Sequence, residues 1–144
     1  MNPIPVMLSI RSTQNYEGQG PDEIELVTEG TLARHNDTWE ISYEESDLTG
    51  LEGVTTTFRL GQRGATLRRS GKVQSRMIFQ EGVRHESLYQ VEFGVLMISV
   101  IARKIRYDMS EQGGTVDITY GIEIEQTAVG QVVYHLEVKP AEQT

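Results

Sequence analysis

The sequence predicts an all-β protein: an antiparallel, up-and-down (meander) closed β-barrel of about eight to ten strands. Three observations point there. The segment from Gly94 to Gln126 reads as one long hairpin, in which Val116, Ile118, Tyr120, Ile122 and Ile124 share one face and Thr115, Asp117, Thr119, Glu123 and Glu125 the other. Period 2 over about five repeats excludes a helix, and arms of about a dozen residues exceed the five or six of an ordinary strand. Turn signals punctuate the rest of the chain at intervals of roughly a dozen residues, with no helical stretch between them. Short turns between sequential strands favour a meander over a Greek key, and closing the sheet removes edges that would invite aggregation.

Each element follows from its pattern. Val6–Gln14 is a first strand, and Tyr16–Pro21, with two glycines and a proline, is a loop. Ile24, Leu26, Thr28, Gly30 and Leu32 alternate with charged neighbours as a second strand, and Gly30 predicts a bulge or bend there. His35-Asn36-Asp37 turns the chain into Trp39, Ile41 and Tyr43. After the acidic loop Glu44–Gly50, Val54–Leu60, Ala65–Arg69, Gln74–Phe79 and Glu86–Phe93 are strands separated by glycine turns. Gly94 opens the long hairpin, and Val132, Tyr134, Leu136 and Val138 form the inner row of the last strand.

Composition bounds the rest. A chain of 144 residues is one domain, residues 1–144, with 38% apolar and 24% charged residues, as in a globular protein. It contains no cysteine, which excludes disulfides, thiolate metal sites and a cysteine nucleophile. The first ten residues do not read as a secretory leader, and the longest apolar run, 94–102, is under half of the roughly 20 residues of a membrane helix. The expectation is a cytoplasmic protein with no membrane partner.

The net charge of −8 hides a segregation. Residues 1–58 sum to −9, residues 59–106 to +7 and residues 107–144 to −6. In a meander the positive block becomes one patch between negative walls. Nucleic acid is disfavoured as a partner, because aromatics are 7% of the chain, the basic block lacks an aromatic platform, and the overall charge repels polyanions.

Candidate chemistry is sparse. His35, His85 and His135 belong to no metal spacing, the acidic loop lacks a calcium-loop pattern, and nucleophile elbows, phosphate loops and dinucleotide fingerprints are absent from the sequence. No catalytic residue, metal or cofactor is assigned, which argues against an enzyme. One of the two glutamates after Tyr43 must point inward, and a buried carboxylate needs a partner. Alternation also sends one of Arg68 and Arg69 inward; sequence does not say which. Such an arginine either locks to Glu44 or Glu45 or grips the acid group of a ligand.

Four segments carry a resemblance: Tyr43-Glu44-Glu45-Ser46-Asp47-Leu48, Arg69-Ser70-Gly71 with Met77-Ile78-Phe79, Tyr89 with Phe93-Gly94-Val95-Leu96, and Ile118-Thr119-Tyr120. In order and spacing the chain resembles the YwiB-like family of small bacterial proteins, from Val6 to Val138. The resemblance implies a calycin-type, lipocalin-like β-barrel with no assigned function and no active site to carry over.

The function expected is a binding module for a small amphipathic or anionic ligand inside the barrel, with Tyr43, Glu45, Arg68, Arg69, Arg76, Phe79, Met97 and Tyr120 as candidate ligand-binding residues. The alternative is a structural or interaction protein with a filled barrel, acting through its outer face or as a homodimer. Residues 94–102 frame that alternative. They are apolar on both faces, so one row lines the barrel and the other needs a cover: a neighbouring strand, a terminal segment or a second subunit.

Overall fold

The structure, a computed structural model, describes residues 2–16, 20–46 and 51–141. Parts of two expected loops, residues 17–19 and 47–50, lie outside the described residues, as do the last three residues. The rest folds as ten strands: β1 (Ile4–Tyr16), β2 (Asp22–His35), β3 (Thr38–Glu44), β4 (Val54–Gly61), β5 (Gly64–Gly71), β6 (Ser75–Phe79), β7 (Arg84–Val91), β8 (Gly94–Ser110), β9 (Gly113–Ile124) and β10 (Thr127–Pro140). All pairings between strands are antiparallel, in the order β6-β5-β4-β3-β2-β1-β10-β9-β8-β7. This is the predicted meander. Its first and last strands are zipped together over eleven residue pairs, from Val6↔Pro140 to Tyr16↔Gly130.

The barrel is nearly closed rather than closed, and the gap lies in mid-chain, between β6 and β7. Only one antiparallel bridge spans these strands, with Gln74 N donating to Gln90 O at 2.9 Å and Gln90 N to Gln74 O at 2.8 Å. The β6–β7 connection seals the other end of the gap by docking on β8. There Gly82 N donates to Ala102 O at 2.9 Å, and the Glu81 carboxylate accepts from Ile105 N at 2.8 Å. We call this gap the seam.

Alternation builds the core as expected. Val6, Leu8, Leu32, Ile41, Leu60, Val116, Leu136 and Val138 are almost wholly buried and fill one half of the interior. In β8 the inner row is Ile98, Val100 and Ala102, and a register shift between Ala102 and Lys104 then restores Ile105, Tyr107 and Met109 to the same side. One extra residue at Arg103 does this: without it Lys104 and Arg106 would face inward. Gly30 makes no bulge, since its register with Val6 and Tyr43 is continuous. It is needed for close approach, because a Cβ there would lie 2.5 Å from the Ser42 carbonyl oxygen and 2.7 Å from Leu8.

The second apolar face of β8 is covered from within the same sheet. Ser99, on the outer row, is 1% exposed and lies in register between Glu86 on β7 and Glu123 on β9. Arg84 donates to both carboxylates, at 2.5 Å and 2.8 Å, and so straps across β8. Of the three covers expected, a neighbouring strand, a terminal segment or a second subunit, it is neighbouring strands that supply this one over Ser99. Beyond the strap, Val95 and Leu96 stay exposed, as does Phe93 in the β7–β8 turn.

Candidate functional site

The half of the barrel not filled by core side chains holds a cavity of about 180 Å³. Its walls come from the C-terminal ends of β1, β3 and β5 and the facing stretches of β9 and β10. Five of the eight sequence-predicted residues line it: Tyr43, Glu45, Arg69, Phe79 and Tyr120. Each is inward by strand parity. Phe79 packs on Tyr120 with ring centroids 4.8 Å apart, and Phe58 on Tyr134 at 5.2 Å.

The other three lie elsewhere. Arg69, not Arg68, is the inward member of its pair, because β5 places Ala65, Leu67 and Arg69 on the core side and Arg68 outside. Arg76 is likewise exposed, between the buried Ser75 and Met77. Met97 falls on the outer row with Ser99, one parity step from the buried Ile98, so it cannot line the interior. The cavity is also lined by Tyr134, which sequence reasoning put on the inner row of β10 without reading it as functional.

The cavity wall is polar in a specific way. Glu45, 7% exposed, accepts a hydrogen bond from the Thr56 hydroxyl at 2.6 Å, while its backbone N donates to Val54 O. The buried carboxylate therefore has a partner, and it is a hydroxyl. Arg69 makes no ion pair among the described residues, so the arginine–glutamate lock is not the arrangement found. Glu44 is exposed on the other face.

Burial raises the Tyr43 phenol well above its usual range, the nearby Glu45 charge adds to the shift, and Arg69 opposes it. Tyr134 is raised in the same way, by burial first and then by its neighbour Tyr43. Both phenols are thus held neutral, as donors. Yet the Tyr134 hydroxyl is buried without a well-formed hydrogen bond, and the same holds for Arg69 Nε and Ser75 Oγ. Buried polar atoms normally find partners. All three belong to groups that can donate: Arg69 and Ser75 stand opposite each other on β5 and β6 beside the seam, and Tyr134, on β10, lines the interior cavity with Arg69.

The histidines contribute nothing to this site. His35 is exposed beside the β2–β3 turn, and His85 Nε2 lies 2.6 Å from Gln80 Oε1. On the outer surface His135 bridges Asp117 at 2.6 Å and Glu137 at 3.2 Å, and the Asp117 hydrogen bond raises its pKa. Among the described residues no cluster of three or more His, Asp or Glu could hold a metal ion. Among the described residues no helix is long and apolar enough to cross a membrane.

Comparison with known proteins adds the fold and its kinship. The chain is 26% identical over 121 residues to the "Uncharacterized beta-barrel protein YwiB" of Bacillus subtilis (strain 168), covering 83% of this chain and 82% of that one. The crystal structure of the ywiB protein from Bacillus subtilis superposes with a TM-score of 0.82 at 21% identity, over 97% of this chain and 94% of the other. Residues 8–136 match the family described as "Domain of unknown function (DUF1934)". The chain belongs to that family.

Proposed function

We propose that the protein is a binding module for a small ligand with an anionic or hydrogen-bond-accepting end, held in the cavity between Tyr43, Arg69, Tyr120 and Tyr134. One observation carries the reading: Arg69 Nε lines an interior space without an acceptor among the described residues, beside a Tyr134 hydroxyl that makes no well-formed hydrogen bond. Leaving a buried donor unsatisfied costs about 1–3 kcal/mol, a penalty that an acceptor in the cavity removes. The apolar remainder of the wall, with Phe58, Leu67, Phe79 and Ile118, suits a compact hydrocarbon body. At about 180 Å³ the space is close to that of cavities that take benzene, which are about 150 Å³, and below the 300 Å³ at which ordinary ligand pockets begin. The amphipathic ligand is therefore a small aromatic or branched acid and not a long-chain lipid.

Native mass spectrometry of protein purified from its own source tests this directly. A co-purifying molecule should be present in the parent protein, lost in Arg69→Gln and retained in Arg68→Gln. Loss of stability in Arg69→Gln, with no ligand found in either protein, would leave Arg69 a purely structural residue. A second reading, a homodimer formed through the outer face, is favoured by the β7–β8 tip, where Phe93 is 94% exposed beside Val95 and Leu96. Under that reading Phe93→Ser converts a dimer to a monomer in analytical ultracentrifugation.

A further inference from the structure

On the outside of the barrel, along the seam, runs a groove of about 730 Å³ lined by Arg68, Arg69, Ser70, Gln74, Ser75 and Arg76, among others. Arg68 and Arg76 stand directly opposite each other on β5 and β6, on the same outer face. Like charges in that position repel and destabilise a sheet. Neither arginine forms an ion pair among the described residues. The one acid in the groove, Glu40, is taken by Arg59, with Nε and Oε2 3.1 Å apart. The repulsion between Arg68 and Arg76 thus has no paired counter-charge among the described residues.

A second, independent feature lies in the same groove. Ser75 is 8% exposed, and its buried Oγ has no hydrogen-bond partner. It faces a gap that exists because β6 and β7 are joined only at Gln74 and Gln90. Arg69, directly opposite Ser75 across β5 and β6, lines both this groove and the interior cavity.

We propose that the seam groove is a binding site for a small oxyanion, a phosphate ester or a carboxylate, held between Arg68 and Arg76 on the outer face, with Arg69 and Ser75 reaching the groove from the inner row at the opening between β6 and β7. Two guanidinium groups side by side on one face match the several acceptor oxygens of such a group. The anion supplies the charge the arginine pair lacks, and it binds whether or not the interior cavity is filled. The repulsive pair sits on β5 and β6, within one strand of the opening of the sheet. That arrangement costs stability in the free protein and is repaid when an anion binds.

The test uses inorganic phosphate and citrate as probes, with thermal unfolding measured against sodium chloride at matched ionic strength. The melting temperature of the parent protein should rise saturably with a probe and not with chloride. Arg76→Gln should melt higher than the parent in the absence of anion, because the repulsion is gone, and should lose at least tenfold in apparent affinity for the probe. Arg68→Gln should behave alike, so the proposal does not hang on one variant. Phosphate and citrate responses tell a phosphate-selective site from a carboxylate-selective one. Neither probe exceeding chloride, or both arginine variants responding like the parent, overturns the proposal. Ser12→Leu, which fills the interior cavity, separates the two sites: the anion response should persist, and its loss would place the anion inside the barrel and sink the seam site.

Discussion

The two sides of the barrel differ in how they spend their polar groups. On one side β2, β1, β10, β9 and β8 run for twelve to seventeen residues in long ladders, and the inner rows are mostly aliphatic, with Ser12, Tyr107, Tyr120 and Tyr134 among them. On the other, β3 to β7 have five to eight residues, the ladder is broken at the seam, and the interior carries Tyr43, Glu45, Thr56, Arg69 and Ser75. The aliphatic side supplies the stability of the fold. The seam side holds buried donors without acceptors and an uncompensated arginine pair, features that weaken a free protein and suit one that binds something.

Substitutions can break that contrast. The largest effect belongs to the aliphatic side: Leu136→Ala, at a fully buried position, should cost about 2–5 kcal/mol in urea unfolding. A value near zero would mean the two sides do not differ. On the seam side, Thr56→Val removes the hydroxyl that the buried Glu45 accepts from and should cost about 1–3 kcal/mol. Across the cavity on β10, Tyr134→Phe should change stability by less than about 1 kcal/mol, because the lost hydroxyl makes no well-formed hydrogen bond, while ligand retention falls.

The phenols sharpen the contrast through pH. With folded pKa values above the unfolded value of about 10, Tyr43 and Tyr134 keep their protons where the unfolded chain loses them. Their contribution is intact below pH of about 10 and is lost as pH rises beyond it. In ultraviolet titration two of the six tyrosines should ionise only as the protein unfolds. The smallest effect is on the outer surface. The raised pKa of His135 means its ion pairs stabilise below pH of about 6.5 and fade as pH rises through the folded value. His135→Gln should flatten this dependence, by less than about 1 kcal/mol because the pair is largely solvated.

Much of this was legible in the residues. Strict alternation from Val116 to Ile124 and in Val132, Tyr134, Leu136 and Val138 names the inner face of two strands without coordinates, because side-chain direction in a strand has period 2. The same rule establishes that Arg68 and Arg69 point to opposite sides and that only one of Glu44 and Glu45 is buried. Parity relative to the core could not be read for Met97, since both rows of 94–102 are apolar. Parity was also hidden beyond Arg103, where an inserted residue shifts the phase and no residue type announces it.

The sequence by itself determined an all-β meander of about eight to ten strands and the segregation of charge along the chain, because both depend on local pattern and order. Tertiary structure alone decided that Arg69 is the inward arginine and that Glu45 pairs with Thr56. It also decided that Arg84 covers Ser99 and that the barrel opens between β6 and β7. These depend on which residues meet across strands far apart in sequence. Register, curvature and closure set those meetings together, and no single segment encodes them.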